Sequence, residues 1–228
     1  MGADRGDISW ERANHAGEMQ SLHAGAYALG QWGGWRAQAS LALSRHHADA
    51  ERSLNLASVN KRAESEFHTH SGLLDLEAGH DHRLGSWVLG PMAGLRYTRY
   101  VQQGFDENKA GYLNMHLDGL EVTSFVSSLG VRASTSWDLD GILLAPRVGL
   151  SWRHEFEDAE RELQTSFSGY GDAPFTVHGF GQPRDVAVLQ IGLDASLRKG
   201  LKAYLQTDAR QGSGYSAAAL YLGLQLSF

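Results

Sequence analysis

The chain has 228 residues, a net charge of −6 and no cysteine, so it is long enough for one sizeable domain but carries no disulfide framework and no thiolate metal site. Its acidic balance argues against nucleic acid as a partner. Its 27 glycines and 4 prolines fit many strands joined by turns, and no stretch reaches the roughly 18 unbroken apolar residues of a membrane helix.

Alternating apolar and polar residues, the pattern of a β-strand, run through most of the chain. Helical spacing fits none of the clear segments as well, so we predict about ten strands with no domain boundary and no linker. Pro91 and Pro146 fall inside strand patterns, where the missing N–H donor predicts a bulge or weak pairing. The alternation is weak at 8–14, 19–30 and 67–83. It is clear at 35–44, 86–99, 128–137, 144–153, 189–198, 201–210 and 217–228.

The connections between these segments alternate in length. Tight turns are predicted at 31–34, 83–86, 138–141 and 198–200, whereas long polar connections are predicted at about 46–66, 101–118 and 157–184. Short turns at one end and long loops at the other are typical of outer-membrane barrels. We therefore predict an all-β fold, an antiparallel up-and-down transmembrane β-barrel.

The positions of the aromatic residues agree with this prediction. Trp32, Trp35, Trp87 and Trp137 lie beside short turns, and Tyr97 lies on the same strand face as Trp87, ten residues further on. Ten residues at roughly 3.3 Å each, on a strand tilted by about 40°, rise about 25 Å, which is the height of the apolar band between the two aromatic girdles of a membrane barrel.

The two faces of the predicted strands differ in chemistry, so one face is expected to meet lipid and the other a hydrated lumen. The polar face would be either a mixed-charge wall around the lumen or a set of ion pairs that brace adjacent strands. The predicted lipid-facing residues are Leu189, Ile191, Leu193, Leu201, Leu205, Leu222, Leu224 and Leu226. The predicted lumen-lining residues are Arg96, Arg132, Arg147, Arg153, Asp194, Arg198, Gln206 and Asp208.

Five motifs in order give the chain a family resemblance. LGPMAGLRYTR (89–99) has a Gly-Pro and ends in Tyr-x-Arg; it is followed by 128–137, by RVGLSWRHEF (147–156), by FTVHG (175–179) with PRDVAVLQIGL (183–193), and by a terminal Phe228. Together they resemble the autotransporter β-domain of type V secretion. That family implies a twelve-stranded barrel with a helix in its lumen.

Compared with the family, the start of this chain looks shortened. GADRGD (2–7) resembles the turn after the family's second strand, and no signal peptide precedes Gly2. We therefore expect residues 1–228 to be a translocator β-barrel domain that lacks the helix and the first two strands. We also expect an incomplete or irregular seam between 8–14 and 216–228.

The resemblance implies an outer-membrane translocator that anchors and exports its own N-terminal passenger, and not an enzyme. Its partners would be outer-membrane lipid, the passenger and the barrel assembly machinery, with no cofactor and no nucleic acid. The resemblance also implies that the machinery reads the last strand, including Leu222, Leu224, Leu226 and Phe228.

Other chemistry is possible on the same residues. Paired histidines can bind metal, but the sequence places no third ligand beside them. Some members of the resembled family cleave their passenger with acidic lumen residues. The alternatives to a translocator are a lipid-modifying hydrolase in the outer membrane, for which no nucleophile motif is present, and a small porin or adhesin barrel. The histidine pairs are His46–His47, His68–His70 and His80–His82, and the candidate carboxylates are Asp75, Glu77, Asp194 and Asp208.

Overall fold

The computed structural model describes residues 2–10, 15–56, 59–157, 162–170, 173–179, 181, 183–197 and 200–226, and nearly all of the regular structure is β-strand. Short 3₁₀ turns at Gly111–Leu113 and Ser168–Tyr170 lie in the connections. In the described part of the chain, no helix has the length and apolar character needed to cross a membrane.

The main sheet is antiparallel and follows chain order along a path of ten strands, which confirms the predicted up-and-down topology. Each tight turn that the structure describes joins strands that are neighbours in the sheet. The ten strands are β1 (Gly2–Trp10), β2 (His15–Trp32), β3 (Trp35–Leu56), β4 (Val59–His80), β6 (Trp87–Gln102), β9 (Leu120–Thr135), β11 (Ile142–Glu155), β14 (Asp185–Ser196), β15 (Leu201–Gly212) and β16 (Tyr215–Leu226). Two short strands, β5 (His82–Leu84) and β10 (Trp137–Leu139), follow β4 and β9 and pair with β6 and β11.

Both prolines in the strand patterns interrupt a ladder, as predicted. The β4–β6 pairing stops at Gly79 opposite Met92 and resumes as β5–β6 at His82 opposite Leu89, so that Pro91 lies in the gap. The β9–β11 pairing stops and resumes in the same way on either side of Pro146. Proline has no N–H to donate to a ladder. The missing donor therefore explains why β4 and β9 are each followed by a separate short strand.

The long connections contain more strand than the sequence predicts. Residues 46–66 were expected to form a polar connection but mostly continue β3 and β4, whose pairing extends to Leu56 opposite Val59. Each of these strands has 22 residues, whereas about ten cross the apolar band of a membrane. The other two long connections contribute a separate sheet in the order β13-β12-β8-β7, built from β7 (Phe105–Asp106), β8 (Met115–Leu117), β12 (Glu162–Phe167) and β13 (Phe175–His178).

The expectation of a turn at residues 2–7 is wrong. Residues 2–10 form β1, which pairs with β2 from Gly2 opposite His23 to Trp10 opposite His15. Cross-strand side-chain contacts hold β1 on β2: Arg5 bonds to Glu18 at 2.5 Å, and Asp4 bonds to His23 at 2.6 Å. The glycine-rich, charged composition of residues 2–7 resembles that of a turn and does not indicate these contacts. In the described strands β1 pairs with β2 and β16 pairs with β15. Because residues 11–14 and 227–228 lie outside the described part, the incomplete or irregular seam expected between 8–14 and 216–228 stays a prediction.

Large apolar side chains lie on the surface of this molecule rather than in its interior. In the described part, the buried hydrophobic residues are Ala63, Ala110 and Val188. A water-soluble domain of this size buries most of its Leu, Ile and Phe side chains. The surface leucines therefore have lipid as their solvent. Of the predicted lipid-facing residues, Leu193 and Leu201 are half-buried, and six are exposed by 39% to 76%: Leu189, Ile191, Leu205, Leu222, Leu224 and Leu226.

Candidate functional site: the polar face of the sheet

The polar face of the main sheet is concave. A cavity of about 390 Å³ is lined by residues from strands as far apart as β3 and β16, including Gln38, Arg153 and Tyr215. These two strands are separated by seven spacings in the sheet order, which would be roughly 34 Å in a flat sheet. The sheet is therefore rolled, with its polar face inside. A second cavity of about 320 Å³ on the same face shares Glu77, Met92 and Gln190 with the first.

A charge cluster on this face centres on Asp81, which lies between β4 and β5 where the ladder is interrupted. Its carboxylate accepts hydrogen bonds from Arg132 at 2.8 Å to each oxygen and from Arg36 Nε at 3.1 Å. Arg36 Nη1 also lies 3.5 Å from Glu77. The side chains of Asp81 and Arg36 are only 15% and 18% exposed. This cluster ties together β3, β4 and β9, which are not all neighbours in the sheet.

A second group joins β11, β14 and β15. Arg147 is paired with Asp194 and donates to Gln206 Oε1 at 3.3 Å. Asp208 accepts hydrogen bonds from Gln190 at 3.2 Å and from Gln206 at 3.4 Å. Each carboxylate of the group therefore has a donor on a neighbouring strand.

A third group lies in the larger cavity. Arg96 bonds to Asp75 at 2.6 Å, and both side chains line the cavity wall. Arg153 and Arg210 line the same cavity. Glu155 lies at the loop end, where it accepts from Ser124 Oγ at 2.5 Å and from the Phe125 backbone N–H at 2.8 Å.

Three of these arginines lie directly opposite a glycine. Arg36 pairs with Gly79, Arg132 with Gly90 and Arg147 with Gly192. A Cβ atom at Gly192 would lie 2.5 Å from Arg147 Nε and 2.9 Å from its Cζ, so the arginine lies flat against the glycine. A Cβ atom at Gly79 would likewise lie 2.7 Å from Arg36 Nη2, whereas one at Gly90 would meet the His80 carbonyl oxygen at 2.4 Å. Gly79 and Gly192 therefore let a long cationic side chain lie along the wall without filling the cavity.

The sequence-predicted lumen residues lie on this face where the structure describes them. Arg198 lies outside the described residues, as does Phe228 of the predicted assembly signal; Leu222, Leu224 and Leu226 are exposed on the opposite, apolar face. Asp194 and Asp208 are bonded to residues of the cavity walls. The predicted residues that line the two cavities are Arg96, Arg132, Arg147, Arg153 and Gln206.

Sequence reasoning missed Asp81, which is the acceptor of Arg132, and Arg36, which is the second donor to Asp81. Asp81 still follows the polar parity of β4, because it lies two residues after Gly79 and the register of β5 on β6 continues that of β4. The signal that was available is the acidic residue between two histidines, His80 and His82, just after a strand whose polar face is already charged. The candidate carboxylates are each bonded to a cation or an amide rather than to one another: Asp75 to Arg96, Glu77 to Arg36, Asp194 to Arg147 and Asp208 to Gln190.

The histidine pairs do not assemble a metal site in the described residues, where no group of three or more His, Cys, Asp or Glu side chains could hold an ion. His46 and His47 lie on opposite faces of β3, with His46 bonded to Ser21 and His47 packed on His68. His80 Nδ1 lies 3.1 Å from His82 Nε2.

Comparison with known proteins agrees with this architecture. Over 208 residues the chain is 29% identical to an extracellular serine protease of Serratia marcescens, and over 167 residues it is 23% identical to outer membrane protein A of Rickettsia rickettsii. These matches cover 91% and 73% of the chain but only 20% and 7% of the relatives, so the chain spans a small part of their length.

The fold is shared with solved autotransporter domains, of which two are compared with this chain. The translocator domain of the autotransporter NalP from Neisseria meningitidis superposes with a TM-score of 0.65 at 17% identity, covering 94% of this chain and 68% of that domain. The β-domain of the Bordetella autotransporter BrkA gives 0.62 at 21% identity, covering 97% and 79%. The sequence also matches the autotransporter β-domain family over residues 1–208. The chain therefore belongs to the autotransporter β-domain family, the β-barrel translocators of type V secretion in the bacterial outer membrane.

Proposed function

We propose that residues 1–228 act as one translocator β-barrel domain that anchors an N-terminal passenger in the outer membrane and exports it to the cell surface. The observation that carries this proposal is the concave polar face, on which most charged side chains are neutralised within the wall. A wall of this kind is hydrated and has few strong sites for a passing segment. An extended polypeptide can then pass along it through weak, exchangeable contacts.

The two roles considered for the lumen charges are compatible. Arg132 and Arg36 brace strands through Asp81, which leaves them little freedom to bind a passenger. Arg153 and Arg210, by contrast, face the larger cavity near Arg96. We propose that the braced pairs hold the sheet rolled, while Arg153 and Arg210 contact carboxylates and carbonyl groups of the passing chain.

The export role needs no catalysis by this domain. We propose that the barrel is not itself an enzyme, and that any activity belongs to the passenger. The carboxylates Asp75 and Glu77 are bonded to arginines, which is what a bracing role requires.

Membrane insertion would rely on the last strand. In β16, one face is continuously apolar and carries Leu222, Leu224 and Leu226, which are 63% to 76% exposed. We propose that the barrel assembly machinery recognises this strand together with Phe228, and that lipid then solvates the same leucines.

The chain has no native cysteine, which permits a direct test of the transport path. The natural protein, carrying an epitope tag and a stalled passenger with one cysteine in the segment ahead of residue 1, would receive Ser128→Cys or Leu129→Cys. Ser128 lines the larger cavity, whereas its neighbour Leu129 is 56% exposed on the apolar face. We expect a bismaleimide reagent to join the passenger to position 128 and not to position 129.

The control for folding is the heat-modifiable mobility of each variant in detergent gels. Equal cross-linking at both positions in correctly assembled barrels would contradict passage along the polar face. An assembled wild-type barrel whose tagged segment stays inaccessible to antibody on intact cells would contradict export altogether.

A further inference from the structure

A basic patch lies on the outer surface of the long strands, where the lipid-facing leucines end. It consists of Arg45 on β3 with His47, and of His68 with His70 on β4; Arg45 pairs directly with His70 and His47 with His68. All four lie on the same strand face as Leu41 and Leu43 of β3 and Leu74 and Leu76 of β4, which are 40% to 54% exposed. We call these four residues the rim patch.

The height of the rim patch follows from the strand geometry. Arg45 lies ten residues beyond Trp35, the aromatic residue at the short-turn end of the same strand and on the same face. Ten residues on a strand tilted by about 40° rise about 25 Å, so Arg45 lies at the far boundary of the apolar band. On β6 the equivalent position, ten residues beyond Trp87, is Tyr97. At this boundary of the apolar band, β6 therefore carries the aromatic Tyr97, whereas β3 carries Arg45 and β4 carries His70 opposite it.

The rim patch borders a shallow depression of about 430 Å³ that opens outward between β2, β3 and β4. Its walls include Gln20, Leu22, Arg45, His47 and His68. The rings of His47 and His68 pack with their centroids 4.7 Å apart and form one side of the depression. Leu22, which is 56% exposed, forms the apolar side. Leu22 pairs directly with Arg45, and Gln20 pairs with His47 two residues further from the membrane. The depression therefore has an apolar side chain beside Arg45 and polar side chains beyond them.

The charge balance changes sharply at this level. Further from the membrane on the same face, Glu18 and Glu51 are bonded to Arg5 and Arg62, while Asp49 and Glu66 lie 3.5 Å and 3.7 Å from His47 Nε2. Arg45 is exposed, and no carboxylate of the described residues forms an ion pair with it. On this face of β3 and β4, the arginine nearest the lipid is therefore one that has no ion-pair partner among the described residues.

We propose that the rim patch binds the phosphate headgroup of an outer-leaflet lipid, with the lipid's acyl chains lying against Leu22 and Leu43. The guanidinium of Arg45 can donate two parallel hydrogen bonds to phosphate, and the imidazoles of His68 and His70 supply further donors. Long basic side chains at the membrane boundary extend toward the headgroup layer while their stems stay on apolar surface. This inference rests on the membrane orientation of the barrel but not on passenger export.

The test uses the folded full-length protein in detergent and native mass spectrometry with two lipids that have the same acyl chains. Phosphatidic acid carries a phosphate headgroup, and the matching diacylglycerol lacks it. We expect Arg45→Ala to weaken phosphatidic acid binding roughly tenfold, as loss of a charged hydrogen-bond donor does, and to leave diacylglycerol binding unchanged. Arg62→Ala, another exposed arginine on the same face but further from the membrane and bonded to Glu51, serves as the matched control and should bind phosphatidic acid like the wild type.

Arg45→Lys keeps the charge but not the two-pronged geometry, so we expect an intermediate loss, and it provides a second variant if Arg45→Ala does not assemble. Phosphatidic acid bound equally by Arg45→Ala and Arg62→Ala would overturn the proposal, as would competition by inorganic phosphate at the same concentration as the lipid. Surface display of the passenger should be unaffected by Arg45→Ala, so a failure of lipid binding and a failure of export are separate results.

Discussion

Removing the carboxylate of Asp81 tests how much the charge cluster that joins β3, β4 and β9 contributes to stability. Asp81→Ala leaves Arg36 and Arg132 without their shared acceptor, and both arginines are less than a third exposed, at 18% and 32%. Breaking a buried ion pair costs about 3–5 kcal/mol, whereas exposed pairs contribute about 0–1 kcal/mol. Because this cluster borders a water-accessible cavity, we expect a loss of about 2–4 kcal/mol in the free energy of unfolding, between the two limits.

The matched control is Asp194→Ala, which also removes a carboxylate bonded to an arginine on the polar face. Asp194 and Arg147 are 44% and 43% exposed, so we expect a loss below about 1 kcal/mol. The measurement is reversible urea unfolding of the barrel in lipid vesicles, followed by tryptophan fluorescence. Equal losses for the two variants would show that burial does not set the strength of these pairs and would refute the reasoning.

Three further changes test the orientation, the connection sheet and the last strand. Leu205→Arg on the lipid face should lower the free energy of unfolding in vesicles by about 2–4 kcal/mol, whereas Gln206→Arg on the polar face should have a much smaller effect; the reverse order would contradict the assigned faces. A hydrogen bond to Asp106 raises the pKa of His116, so its contribution to the β7–β8 pairing is fully present below the unfolded pKa and is lost as pH rises through the folded one. Faster amide exchange of β8 at pH 8 than at pH 5, relative to β16 and after correction for intrinsic exchange, is the expected result, and an unchanged ratio would count against it. Deletion of Phe228 should lower the amount of barrel assembled in cells while leaving refolding in detergent largely intact, and equal losses in both assays would indicate a structural role instead.

The strand content and facing of the main sheet could be predicted because lipid and water impose a strict two-residue period. In β14 and β15, Leu193 and Leu205 pair on the apolar face while Gln190 and Asp208 bond on the polar face. A shift of one residue would reverse every side chain, so the pattern is informative even without a conventional core.

The strands that extend beyond the apolar band, and the long connections, do not show this alternation of apolar and polar residues. Residues 46–66 look like a polar loop, yet most of them form the paired ends of β3 and β4. Most of their side chains are polar, so their strand pattern carries no clear apolar signal. The small sheet of β7, β8, β12 and β13 joins segments from two different connections, which no local pattern can indicate. The turn expected at 2–7 failed for a related reason, since Arg5 and Asp4 find their partners on β2.

The arginine–glycine pairs connect the stability of the wall to its use as a passage. A long arginine that stood upright on the wall would point into the lumen and obstruct it, but Arg147 lies flat over Gly192 and reaches Asp194 on the same neighbouring strand. Any side chain at position 192 would collide with Arg147 Nε, lift the guanidinium away from the wall and weaken its ion pair. The same step would narrow the cavity and leave a cation facing the passing chain. Glycine at position 192 therefore keeps the cavity open and the charge of Arg147 neutralised within the wall, and the two properties cannot be changed separately there.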